Sequence, residues 1–181
     1  MSLWGHVTTD FARRRFNEMV LPHLDDAYRL ARWLTGNRTD AEDVAQDACM
    51  RALASLETAA VEQPRAWLLT IVRNTAFSWM EKNRPKAVVL VGDSEVLDAV
   101  AAHRDSSPGP EEVLIAAADE AALESAILAL PPIFREVVVM RDINGMSYRE
   151  IAAATGAPQG TVMSRLARAR AQLADKLGSP A

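Results

Sequence analysis

Ser147-Tyr-Arg-Glu-Ile-Ala-Ala-Ala-Thr155, then Gly156-Ala-Pro158, then Gln159-Gly-Thr-Val-Met-Ser-Arg-Leu-Ala-Arg168 decides the fold of this chain. Ser147 with Glu150 three residues on is a capping box, so a helix is predicted over Tyr148–Thr155, burying Ile151 and Ala152. Gly156 suits a turn residue with positive φ, and Pro158 helps open the next helix. Ala152 lies four residues before the glycine and Val162 six after it, small and β-branched residues that let two helices cross closely. Together these are the marks of a helix-turn-helix.

At about 100° per residue, Val162, Leu166, Ala169, Leu173 and Leu177 form the buried stripe of the last helix. Thr161, Ser164, Arg165 and Arg168 then face outward, and Arg149 sits on the preceding helix. Arginine can pair with guanine in the major groove, and hydroxyls can meet bases or phosphates. A helical hairpin with a solvated arginine face is the plainer alternative. The wider run, Leu130-Pro-Pro-Ile-Phe-Arg-Glu-Val-Val-Val-Met-Arg-Asp-Ile-Asn-Gly-Met-Ser147 and on through Arg170, closely resembles region 4 of extracytoplasmic-function sigma factors. The resemblance implies duplex −35 reading by Arg149, Thr161, Ser164, Arg165 and Arg168. Met163 stands where that family usually carries Lys or Arg.

Working outward, strand patterns are almost absent, and apolar residues recur at three and four. The first pattern runs from Phe16 to Leu34, with Pro22 as a kink and Gly36 as a stop. Thr39 and Glu42 are expected to form a capping box for a helix to about Leu56, burying Ala45, Cys49, Ala52, Leu53 and Leu56. A third helix begins near Pro64 and runs to about Asn83, with Leu68, Ile71, Val72, Thr75 and Trp79 on its apolar face. From Ala87 the composition turns acidic and includes Ser106-Ser-Pro-Gly-Pro110, a linker signature. The fold class is therefore all-α: two small helical domains, at 8–86 and 111–178, joined by an acidic flexible linker at 87–110.

Asp43, Gln46, Asp47 and Met50 lie at i, i+3, i+4 and i+7, nearly opposite the predicted buried face of their helix. Taken alone, the stripe is either a solvated acidic face or a docking surface. The surrounding run Asp40-Ala-Glu-Asp-Val-Ala-Gln-Asp-Ala-Cys-Met-Arg-Ala-Leu53 resembles region 2.2 of the same family. That resemblance implies docking on the clamp of the largest subunit of RNA polymerase core. Pro64-Arg-Ala-Trp-Leu-Leu-Thr-Ile-Val-Arg-Asn-Thr-Ala76 resembles the family's promoter-melting and −10-reading regions. Thr70, Arg73, Asn74 and Phe77 share one side of this helix, with Arg84 beyond. Cations interleaved with an aromatic suit single-stranded DNA, through phosphate contact and base stacking. Trp67, at the border, is structural or DNA-facing. The loop 57–63 has two acids and no aromatic, a departure that weakens any reading of the −10 sequence.

The net charge of −4 hides this division, since two basic segments flank the acidic middle. The resemblance implies a linker threaded through the polymerase where RNA later passes; a flexible spacer is the alternative. The single cysteine, Cys49, suits a reducing compartment, and no apolar run reaches the roughly 18 residues that span a bilayer. With no signal-peptide pattern at the start, a cytoplasmic location and no membrane partner are expected. His6, His23 and His103 have no metal-ligand spacing with Cys49, and no phosphate-binding loop or nucleophile elbow appears. The expectation is a protein without cofactor, metal or catalysis, partnered by core polymerase, promoter DNA and an anti-sigma factor. A stand-alone DNA-binding regulator and a decoy for a sigma inhibitor are the rival readings.

Overall fold

The structure is a computed structural model that describes residues 4–56, 58–83 and 120–178, with side chains from Asp10 onward. The expected linker at 87–110 and Arg84 lie outside the described residues. All regular structure among the described residues is helical. Helix α1 (Trp4–Met19) leads through a single 3-10 turn, Leu21–His23, into α2 (Leu24–Thr35). Pro22 in that turn is the expected break. Gly36 ends α2 in the left-handed conformation, φ 85°, donating its N–H to Arg32.

Helix α3 (Arg38–Ser55) starts two residues earlier than a Thr39 cap allows. Asn37 is the cap, its side-chain oxygen accepting from the Asp40 N–H at 2.9 Å. Glu42 is thereby freed from a capping role and pairs with Arg38 at 2.9 Å. The buried stripe also differs from expectation: Ala41, Val44, Ala48 and Ala52 are buried, Ala45 and Cys49 half-buried, and Leu53 exposed. The helix is rotated by about one residue, because its alanine-rich sequence defines an apolar face only weakly and packing against α2 and α4 decides it.

Helix α4 (Pro64–Asn83) packs on both α2 and α3 through Leu68, Leu69, Val72, Thr75 and Ala76, while Ile71 and Trp79 are half-buried. With Leu30, Leu34 and Leu56 these residues form the first-half part of a core that continues into the buried residues of the second half. Each fully buried leucine contributes about 2 kcal/mol by removal from water.

The second half begins with helical residues 120–128 (α5). Helix α6 (Pro132–Val138) follows Pro131 and continues into one π turn, Val139–Ile143, closed by the Asn144 N–H donating to the Val139 carbonyl at 2.8 Å. The wider turn leaves Met140 and Asn144 buried. Helix α7 (Tyr148–Thr155) carries the expected capping box: the Glu150 N–H donates to Ser147 Oγ at 3.2 Å, and the Ser147 N–H to Glu150 Oε2 at 2.6 Å. Ala154, not Ala152, joins Ile151 in the core. Gly156 has φ 68°, and α8 (Gln159–Leu177) follows Pro158. Its buried stripe is Val162, Leu166, Ala169 and Leu173; Leu177 is exposed.

The two halves pack on each other. Helix α7 lies against α4, and α6 with its π turn lies against α2.

Candidate nucleic-acid interface

The helix-turn-helix presents its candidate residues unevenly. Arg149, Ser164 and Arg168 are exposed, Thr161 is half-buried, and the Ser164 hydroxyl donates to the Thr161 carbonyl at 3.0 Å. Met163 is exposed on the same helix, where it offers thioether rather than charge. Arg165 is half-buried and turned toward Glu136 of α6, 3.6 Å away. Farther along α8, Arg170 makes a two-pronged pair with Asp142, at 2.6 and 3.2 Å, tying α8 to the π turn. That pair raises the Arg170 guanidinium above its usual value, chiefly through the hydrogen bond to Asp142. The hydrogen bonds around Ser147 hold the Glu150 carboxyl below the ordinary glutamate range.

On α4 the candidate residues gather around Arg73. Its guanidinium stacks on the Phe77 ring, 4.3 Å from the centroid, and donates to Asn74 Oδ1 at 3.1 Å. Its Nε donates to Glu136 Oε2 at 2.7 Å. Thr70 is half-buried, and its hydroxyl donates back to the Ala66 carbonyl at 2.8 Å. Trp67 is half-buried and packs on the core, which makes it structural in large part. Beyond Phe77, an open apolar groove lined by Phe77, Trp79, Met80, Pro132 and Ile133 crosses from α4 to the start of α6.

The α3 stripe is fully presented. Asp43, Gln46, Asp47 and Met50 are all exposed, Met50 by 66%, and Asp47 pairs with Arg51 one turn on at 3.0 Å. The slight rotation of α3 leaves this outward face intact.

Sequence reasoning missed the residues that join the halves. Glu136 has no side-chain exposure, and burial pushes its carboxyl above the ordinary range. The hydrogen bond and charge of Arg73, with the charge of Arg165, pull it back. Arg135 donates to the Trp33 and Leu34 carbonyls at the end of α2, at 3.5 and 3.3 Å, and to Leu128 and Leu130. Arg65 bridges Asp26, at 2.6 Å, and the Asn144 carbonyl, while the Asn144 amide donates to the Asp26 carbonyl at 3.3 Å. One signal for Glu136 was present: it lies three and four residues before Val139 and Met140, on the face that becomes buried.

No group of His, Cys, Asp and Glu suited to a metal ion occurs among the described residues, and none of the described helices is long and apolar enough to cross a membrane.

The Sigma-70 region 2 family model matches residues 19–85, and the Sigma-70 region 4 family model matches residues 120–173. The chain is 38% identical over 163 residues to the ECF RNA polymerase sigma factor SigE of Mycolicibacterium smegmatis, covering 90% of this chain and 61% of that relative. It is 34% identical to the RNA polymerase sigma-E factor of Streptomyces coelicolor, covering 90% of this chain and 85% of the relative. Among solved structures, the sigma factor RpoE of Bartonella quintana, in complex with the anti-sigma factor NepR, superposes with a TM-score of 0.69 at 26% identity, covering 93% of this chain and 99% of that one. The chain belongs to the extracytoplasmic-function family of RNA polymerase sigma factors.

Proposed function

We propose that this chain docks on RNA polymerase core through the α3 stripe and gives the polymerase promoter specificity through α4 and the α7–α8 helix-turn-helix. The observation that carries this reading is the joint presentation, on one chain, of an exposed carboxylate–amide–methionine stripe and a helix-turn-helix whose outward residues are Arg149, Ser164 and Arg168. Asp43, Gln46, Asp47 and Met50 suit a basic partner helix with an apolar spot. Arg149, Thr161, Ser164, Arg165 and Arg168 are assigned to duplex −35 DNA, as phosphate and base contacts. Thr70, Arg73, Asn74, Phe77 and Arg84 are assigned to the unpaired −10 strand, where ring stacking and cations offset the cost of unstacking a base. The segments 8–86, 87–110 and 111–178 are taken as the two working regions and their linker. The chain works without catalysis of its own, inside the compartment that holds the polymerase. An anti-sigma factor is its expected inhibitor, as the complex of RpoE with NepR exemplifies for a relative.

The test is in-vitro transcription with purified chain, polymerase core and a promoter library. Specific initiation that needs both components supports the assignment. Tight duplex binding by the chain alone, with no initiation, would establish a stand-alone regulator instead.

A further inference from the structure

Glu136 is the most confined charge at the junction between the halves. Its side chain is wholly buried, one oxygen holding Arg73 of α4 at 2.7 Å and the other facing Arg165 of α8 at 3.6 Å. That second oxygen has no hydrogen-bond partner, so its tie to Arg165 is one of charge alone. Among the described residues assigned to DNA, Arg73 and Arg165 are the two half-buried arginines, one assigned to the −10 strand and one to the −35 duplex. A single carboxylate of region 4 thus engages both.

We propose that Glu136 is a positioning residue that stands in for a DNA phosphate on Arg73, holding the free chain closed with region 4 against the −10 face of α4. The proposal rests on the assignment of that face to single-stranded DNA. A carboxylate and a phosphate offer guanidinium the same paired-oxygen geometry, so one can replace the other on Arg73. Around the pair, Arg65, Asn144 and Arg135 join the halves through main-chain carbonyls, groups that water satisfies again when the halves part. A polyanion that competes for Arg73 removes this charged contact, and the Phe77 ring is already stacked beneath that arginine. In the closed chain Arg73 is taken, and only Asn74 of its cluster is exposed.

The experiment compares the full chain with Glu136→Gln and Arg73→Gln, which remove the same pair from opposite sides. Circular dichroism first checks that each is folded. Small-angle scattering then gives the radius of gyration, and anisotropy gives the affinity for a labelled single-stranded oligonucleotide pool of mixed sequence. Both variants are expected to be more extended than the parent. Glu136→Gln is expected to bind the pool about tenfold more tightly, whereas Arg73→Gln, lacking the cation, gains nothing. Should Glu136→Gln misfold, extension of Arg73→Gln carries the test of closure. Parental dimensions in whichever variants fold, or extension of Glu136→Gln without tighter binding, overturn the proposal. The wild-type chain with core in the transcription assay reads the functional assignment separately, so initiation there with no effect of Glu136→Gln condemns the latch alone.

Discussion

The same residue type has different work at different positions of the helix-turn-helix. Arg168 is exposed on α8, whereas Arg165 is half-buried against Glu136. Arg168→Ala is therefore expected to cost about 1–3 kcal/mol of −35 discrimination with no loss of core binding. Competition between matched and mismatched −35 duplexes, with the chain held on core, measures it. Equal weakening of core binding would remove Arg168 from the DNA face. Ser147 is worth more to the fold than to recognition, since both bonds of its capping box are made. Ser147→Ala is expected to lower stability by about 1 kcal/mol in urea unfolding. The pH dependence follows from Glu150, whose carboxyl is held below its unfolded value by Ser147. A depressed folded pKa means stability that is present above the unfolded value and lost as pH falls through the folded one. The gap between Ser147→Ala and wild type should thus narrow as pH drops below the ordinary glutamate range, and melts across acidic pH would show it.

Among the elements, α3 shows how a helix can be placed correctly and still be turned wrongly by sequence. Its alanines fit either of two adjacent faces, and the leucines of α2 and α4 select Ala41, Val44, Ala48 and Ala52. The exposed stripe tolerates that rotation because Asp43, Gln46, Asp47 and Met50 lie far enough around the helix. Asp47→Arg is expected to weaken core binding at least about tenfold by placing like charge before a basic partner. Its effect on stability should stay within about 1 kcal/mol, since the Asp47–Arg51 pair is half exposed to solvent. Pull-down with core, alongside thermal melts, separates the two. In α4, by contrast, Leu68 has no exposure, and Leu68→Ala should cost about 2–5 kcal/mol in equilibrium unfolding. The π turn after α6 has a comparable structural task. Its wider ring buries Asn144, whose amide reaches the Asp26 carbonyl of α2.

For the molecule as a whole, the packing of its halves makes a prediction about cooperativity. All four tryptophans, Trp4, Trp33, Trp67 and Trp79, lie in the first half. Tryptophan fluorescence therefore reports the first half, while circular dichroism reports both. Coincident denaturation curves are expected for the wild-type chain, because Arg65 through the Asn144 carbonyl, Arg73 through Glu136, and Arg135 through the Leu34 carbonyl couple the halves. Glu136→Gln should separate the two curves; coincidence in that variant would mean the coupling resides elsewhere.

The all-α class, α4 from Pro64 to Asn83, α7 with its capping box, Gly156 and most of the α8 stripe follow from local chemistry, and sequence alone determined them. A cap, a turn glycine and a periodic apolar face are each set by residues within one or two turns of each other. The cap at Asn37 instead of Thr39 is local chemistry too, a bond from the Asp40 N–H three residues on, whereas the rotation of α3 and the exposure of Leu177 were decided by tertiary packing. So was the fate of the arginines. Arg73 and Arg165 have outward positions on their own helices, and nothing within a few residues of either specifies Glu136 as a partner. That carboxylate lies 63 residues from Arg73 along the chain, and only the docking of α6 and α7 against α2 and α4 brings it within hydrogen-bonding reach.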